Sequence, residues 1–236
     1  RGTGTWGIST ATSGAIRMLL DTPVSALPSG LWAYRVDSNR TLFGSAMSDC
    51  GRVLSFATST FNIEKSLSRI DSSDLFTADP TSDTPLVLPF LSGERGTKWR
   101  DGVRAMFAGV GASTTPEQFL RGSMEGVALS YLRIADQLKA AGGEPERIVL
   151  SGGMTNVIPS WLQLLADALD SPIDHIAIAR STMRGSAVLA LEQLGLDSVK
   201  EEPVRTRVEP VAGRASYYRQ RLAIFEELAD HAELQA

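Results

Sequence analysis

The chain of 236 residues has one cysteine, Cys50, and two histidines, His175 and His231. A single cysteine allows no internal disulfide and no cysteine-based metal site. Two distant histidines argue against a histidine-held metal and against a His-dependent catalytic triad. No apolar run approaches the roughly 18 residues that span a membrane, and no charged-then-apolar leader of the secretory kind is found. Basic runs are missing too. With 23 basic and 27 acidic residues the formal net charge is −4, which offers no face for nucleic acid. These absences predict a cytoplasmic protein with no protein-held metal. The hydrophobic content of 43% is ordinary for a globular chain of this length, which can bury a full core. The chain opens at Arg1 and enters a strand-like run almost at once, which reads as a piece of a longer polypeptide.

Along the chain, residues 5–20 read as two strands about a Thr12-Ser13-Gly14 turn. Residues 31–36 and 41–43 flank the polar turn Asp37-Ser38-Asn39-Arg40 and read as a hairpin. The small residues from Gly44 onward lead to Val53, Leu54, Phe56 and Ala57, a pattern that suits a helix packed on that sheet. Residues 71–85, rich in Asp, Ser, Thr and Pro, predict a surface loop. The best-defined helix is 116–141: Thr115 is a natural N-cap, Pro116 suits the first turn, and Gly142-Gly143 suits its end. Its apolar residues from Leu120 to Leu138 recur at spacings of three and four. Strand 147–150, a helix bearing Trp161 to Leu169, strand 175–178 and a last core helix carrying Ala187 to Leu194 follow. Residues 197–213 read as a charged linker and 214–236 as a C-terminal helix. A meander followed by alternating helices and strands predicts an α/β fold, a mixed sheet flanked by helices.

Three short segments of small residues interrupt this pattern. Thr12-Ser13-Gly14 can converge hydroxyls and backbone N–H groups on a phosphate, or can simply make a hairpin turn. Ser151-Gly152-Gly153 sits where a strand meets a helix, a place suited to an anionic ligand as well as to plain turn geometry. It fits neither the dinucleotide fingerprint nor the Walker pattern. Gly44 to Gly51 opens a helix and suits close helix–sheet packing. Glu94 and Arg95, between two glycines, read as a local pair or as a functional loop, and Cys50 and His175 as structural residues.

In sequence order these segments build a resemblance. Thr12-Ser13-Gly14-Ala15-Ile16-Arg17 resembles the GTSGAIR signature of the gluconate kinases within the FGGY family of carbohydrate kinases. Residues 30–37 resemble the hairpin that follows it, and Pro89 to Gly96 resembles the family's P-[YF]-L-x-G-E-R loop. Glu125-Gly126-Val127-Ala128 is similar to its E-G-V-A helix segment. Leu150 to Gly153 with Trp161 to Asp167 resembles its adenosine signature, and Gly185-Ser186-Ala187 its closing G-A-A. The likeness runs over nearly the whole length and extends to the Tyr-bearing tail helix.

The resemblance implies a ribonuclease H-like, actin-like ATPase domain over residues 1–196, a linker over 197–213, and a helical extension over 214–236 packed on the domain. It implies ATP with Mg²⁺ and phosphoryl transfer to a hydroxyl of a sugar acid such as gluconate, or of a related sugar or polyol. Thr12, Ser13, Gly51 and Ser55 would face the nucleotide phosphates. Gly152 and Gly153 would floor the adenosine pocket beside Asn156 or Val157, while Ala15 and Arg17 would border the sugar. The catalytic base and most sugar contacts would belong to an N-terminal domain upstream of Arg1, so this chain alone should not be a competent kinase. Asp21 and Asp49 are not placed to substitute for that base. A homodimer is compatible with the resemblance.

Two departures from the signatures stand out. Ala11 replaces a glycine, which matters if the backbone there has φ > 0 and is harmless in an extended strand. Met154 follows the glycine pair where small residues are usual. Both features also suit a catalytically inactive relative serving as a nucleotide-binding or regulatory module. Another actin-like ATPase, a chaperone or a cell-shape protein, is a further alternative, against which the Thr12–Arg17 and Gly93-Glu94-Arg95 signatures argue.

Overall fold

Strands β1 (Thr5–Thr10) and β2 (Gly14–Leu20) form an antiparallel hairpin in which Trp6 faces Met18 and Ile8 faces Ile16. The computed structural model describes residues 4–22, 24, 26–63, 69, 74–176, 178, 180–196 and 203–233. β3 (Trp32–Arg35) and β4 (Thr41–Met47) extend the meander, with β4 paired to β2 along its whole length. β7 (Arg147–Ser151) lies parallel to β1, followed by β8 (Ile173–His175) and the antiparallel edge strand β9 (Thr206–Val208). Among the described residues the sheet order is β3-β4-β2-β1-β7-β8-β9. β5 (Leu86–Leu88) and β6 (Met106–Ala108) make a separate two-stranded ribbon.

Alternation decides which face is core. Trp6, Ile8, Ile16, Met18, Phe43, Met47, Ile148 and Leu150 are buried, whereas Gly7 is exposed and Ser9 and Arg17 are half-buried. Helices α1 (Gly51–Thr60), α2 (Pro116–Gly142) and α4 (Trp161–Leu169) contribute their apolar residues to this same core. α2 starts as its sequence predicts, with a capping box: Gln118 N–H donates to the Thr115 hydroxyl, and Thr115 N–H donates to the Gln118 side chain at 2.8 Å. It ends at Gly143, whose φ of 84° lies in the left-handed region. Gly126 gives the E-G-V-A segment a physical meaning. A Cβ there would stand 2.2 Å from the Val87 carbonyl oxygen, so only glycine lets β5 lie against α2.

The structure corrects several sequence expectations. The segment read as a strand over 175–178 is strand only up to His175; beyond it Ile178 N–H donates to the Ile176 carbonyl in a tight turn, and Ala177 lies outside the described residues. The helix read as the last core helix, α5 (Ser181–Gln193), has no buried residue. Ser181, Arg184, Val188 and Leu191 form a half-covered stripe, and an Arg40–Glu192 ion pair of 2.9 Å joins the helix to the β3–β4 hairpin. Its small and apolar residues surround the helix axis instead of forming one face, so composition overstated its burial. Within the segment read as a linker, Thr206–Val208 forms β9, while 197–202 lie outside the described residues. The C-terminal helix is α6 (Arg214–Glu233), whose Tyr218, Phe225 and Ala229 are buried in the core.

Candidate functional site

The turn between β1 and β2 meets the start of α1. Ala11, Thr12 and Ser13 are all exposed, and Ala11 N–H donates to the Ser13 carbonyl at 3.1 Å. The Ala11 carbonyl accepts from Gly51 N–H at 2.7 Å, and the Thr12 carbonyl accepts from Cys50 N–H (3.0 Å) and Arg52 N–H (3.3 Å). A Cβ on Gly51 would come within 2.7 Å of the Ala11 oxygen. This glycine is therefore needed to seat the turn on the helix. Among the described residues no hydrogen bond engages the Thr12 or Ser13 hydroxyls, which leaves both free to bind a ligand.

Beneath the turn, Tyr131 on α2 donates to the Ser9 carbonyl at 2.7 Å. Burial raises the Tyr131 phenol far above its ordinary value, so it keeps its proton and its role as donor. Its Oη lies 3.4 Å from Cys50 Sγ, which in turn lies 3.8 Å from Met154 Sδ. Burial pushes the Cys50 thiol up to about 12, so it is an inert packing group.

On the other side, β7 is followed by Gly152 with φ of 148°, where a Cβ would stand 2.1 Å from the Thr10 carbonyl oxygen. Gly152 thus permits β7 to pass directly beside β1. Gly153 has nothing within 4 Å of a would-be Cβ and opens toward the cleft, at the start of the single turn α3 (Met154–Val157).

Ala11, Thr12, Gly51, Arg52, Leu54, Ser55, Thr58, Gly153, Met154 and Val157 line one cleft of about 470 Å³. Five residues singled out from sequence meet there: Thr12, Gly51, Ser55, Gly153 and Val157. Ser13 sits in the adjoining turn, and Gly152 shapes the wall from behind. Asn156 faces a different cavity, of about 500 Å³, with Thr155, His175 and Arg205. The single turn of α3 thus separates Asn156 from Val157. Ala15 is 1% exposed within the sheet, and Arg17 lies on the sheet's other face, with its guanidinium 3.3 Å from Ser9 Oγ and 5.9 Å from the Trp32 ring centre. The structure brings neither residue to the cleft.

Ala11 has no positive φ, so its methyl group imposes no backbone strain, and Met154 serves as a buried wall of the cleft. Sequence reasoning missed Arg52. Its position one residue into a helix after a small-residue segment was the available signal. Glu94, read as part of a loop motif, is buried among arginines away from the cleft.

Comparison with known proteins decides the family. Residues 4–194 match the model of the "FGGY family of carbohydrate kinases, C-terminal domain". The chain belongs to the FGGY family of carbohydrate kinases. This FGGY domain is 28% identical over 244 residues to the gluconokinase of Bacillus subtilis (strain 168), a match that covers 97% of the chain and 47% of that protein. It is 32% identical over 129 residues to a glycerol kinase of Sinorhizobium fredii, covering 53% of the chain and 25% of that protein. Among solved structures, gluconate kinase from Lactobacillus acidophilus superposes with a TM-score of 0.85 at 23% identity, over 98% of this chain and 48% of that one. A kinase from Brucella ovis described as a "xyloylose kinase" gives a TM-score of 0.86 at 19% identity, over 100% of this chain and 49% of that one. The FGGY chain spans about half the length of the curated relatives it matches over nearly its whole length.

Proposed function

We propose that this FGGY domain is the nucleotide-binding half of an ATP-dependent kinase that phosphorylates a hydroxyl of a sugar acid such as gluconate, or of a related sugar or polyol. One observation carries the reading. The Thr12 turn, the α1 start and the Gly153 turn, far apart in sequence, wall a single cleft. Thr12, Ser55 and Thr58 contribute hydroxyls to its lining, that of Thr12 without a partner among the described residues, and Leu54, Met154 and Val157 contribute apolar surface. A nucleotide, with polar phosphates and an apolar-faced adenine, suits that mixed lining. Gluconokinases as relatives over nearly the whole chain favour a sugar acid as acceptor.

Phosphoryl transfer asks a protein chiefly for positioning and charge neutralisation. Thr12 and Ser13 would orient the terminal phosphates, Gly153 would let the nucleoside approach the backbone, and Ser55 would border it from α1. No cluster of three or more His, Cys, Asp or Glu residues suited to a metal is present among the described residues. Mg²⁺ would be held chiefly by the nucleotide's phosphates and by water, on the side of the cleft where the Thr12 turn lies. When bound, it would neutralise phosphate charge. The acceptor hydroxyl and the base that takes its proton would come from a domain N-terminal to this one, and the protein would act in the cytoplasm.

The direct test is calorimetric titration of the chain with Mg²⁺ and ADP, with Gly153→Asp as control. Saturable binding that the control abolishes is expected. A full-length protein that phosphorylates no sugar acid, sugar or polyol in the presence of ATP would overturn the reading. Retained nucleotide binding without turnover would instead favour an inactive, regulatory relative, although the unstrained backbone at Ala11 removes one motive for that alternative.

A further inference from the structure

The cleft's supply of positive groups is unusual for a phosphate site. A helix N-terminus normally offers free N–H groups to an anion. At α1 these donors are already engaged: Cys50 and Arg52 N–H donate to the Thr12 carbonyl, Gly51 N–H to the Ala11 carbonyl, and Val53 N–H to the Cys50 carbonyl. The hydroxyls of Thr12, Ser55 and Thr58 carry no charge. Arg52 is the single charged residue lining the cleft among the described residues.

Its placement is specific. Half of the Arg52 side chain is exposed, and its Nη1 lies 3.4 Å from Asp49 Oδ1. Asp49 is itself fixed, because Oδ2 accepts hydrogen bonds from Ser92 N–H (2.8 Å) and Ser92 Oγ (2.9 Å). Oδ1 is buried, accepts no hydrogen bond, and has only that loose ion pair. At 3.4 Å the contact is loose and, with Arg52 half exposed over the buried Asp49, the guanidinium can turn its free N–H groups to a phosphate while the Asp49 carboxylate stays beside it. A guanidinium can then make two charge-assisted hydrogen bonds to phosphate oxygens.

We infer that Arg52 is a phosphate-binding side chain of the cleft, held in readiness by Asp49, and that it sets the preference for a nucleoside diphosphate or triphosphate over the bare nucleoside. The inference rests on the nucleotide reading of the same cleft. Ser92 links this arrangement to the loop carrying Gly93 and Glu94, so Asp49 is the positioning residue and Arg52 the binding one.

The experiment compares ADP with adenosine. Wild-type chain, Arg52→Ala and Arg52→Lys are each titrated with both ligands in the presence of Mg²⁺. Arg52→Ala should weaken ADP by about tenfold or more while leaving adenosine unchanged, and Arg52→Lys should recover part of the loss, since lysine keeps the charge without the fork. Unchanged adenosine affinity also certifies that the variants are folded. Equal loss for both ligands would mean that Arg52 only shapes the pocket, and no change for ADP would mean that it touches no phosphate. Either result overturns the proposal. A wild-type chain that binds neither ligand would remove the nucleotide reading itself, and this inference with it.

Discussion

Arg133 on α2 and Glu94 form an ion pair of 2.5 Å in which both side chains are only 2% exposed. Arg100 donates to the other Glu94 oxygen, and its Nη1 donates to the Ala229 carbonyl of α6 at 2.8 Å. Arg133 completes the set with two hydrogen bonds to Glu226, at 2.6 and 3.0 Å. Glu94 therefore ties its loop, the central helix and the C-terminal helix together. The Gly93-Glu94-Arg95 motif is a strut of the fold at this carboxylate.

Removing one partner of such a pair leaves charges buried without compensation, which costs about 3–5 kcal/mol. Glu94→Ala should destabilise the chain by an amount at the lower end of that range, because two arginines lose their shared acceptor while Arg133 keeps Glu226 and Arg100 keeps the Ala229 carbonyl. Chemical denaturation measures it. ADP affinity of the folded fraction should remain that of the wild type, since Glu94 does not line the cleft between the Thr12 and Gly153 turns. A variant that keeps full stability but loses the nucleotide would return the motif to a binding role.

The two glycines at 152 and 153 should separate cleanly. Alanine at 152 must adopt a φ of 148° and collide with the Thr10 carbonyl, so a loss of at least about 2 kcal/mol is expected together with weakened ADP binding. Alanine at 153 meets nothing and keeps an ordinary helical φ of −68°, so stability should change by less than about 1 kcal/mol. Thermal melts and ADP titrations of the two variants check this. Equal destabilisation would contradict the assigned geometry.

Local chemistry explains how much of this was legible beforehand. The β1–β2 hairpin, the α2 capping box and the strand-to-glycine turn at 150–153 are determined by neighbours in sequence, and reading them required no tertiary knowledge. The short strands β6 and β9 have three residues each, and their pairing partners lie far along the chain, so no local period marks them. The separation of Asn156 from Val157 turns on the direction of one helical turn. Arg52 had only its position at a helix start as a signal, and that says nothing of its weight. Its importance comes from what its neighbours' N–H groups already do, which only the fold shows. The same holds for α5, whose Ala187 and Leu191 were apolar enough for a core that the helix does not enter.

Cys50 gives the site a built-in reporter. Its thiol, buried between Tyr131 and Met154 and raised to about 12, forms almost no thiolate at neutral pH. Alkylation should therefore follow the opening of the Thr12 turn from α1 and not the intrinsic chemistry of the thiol. Saturating Mg²⁺ and ADP should slow it further, since ligand at a hundredfold excess over its Kd stabilises the closed form by about 2.7 kcal/mol. Labelling of the native chain at the rate of the denatured chain would show that the turn is not seated as described.

Acid should loosen the Gly152 turn through His175. Thr155 Oγ1 donates its proton to the Gly152 carbonyl at 2.9 Å, so the His175 Nε2 that lies 3.2 Å away must be the donor to Thr155. Burial, and secondarily the charge of Arg205, lowers the His175 pKa below its ordinary 6.5. The unfolded chain thus takes up this proton first as pH falls, and stability that is complete above about pH 6.5 declines toward the depressed folded value. His175→Gln preserves a donor for Thr155 but cannot titrate. Denaturation midpoints of the two proteins from pH 8 to pH 5 should show wild type losing stability faster below pH 6.5. The buried Glu125, whose carboxyl is raised by burial, contributes to both curves alike and cancels in the difference. Parallel curves would mean that His175 gains its proton equally well folded and unfolded, and that the Thr155 link carries no acid sensitivity.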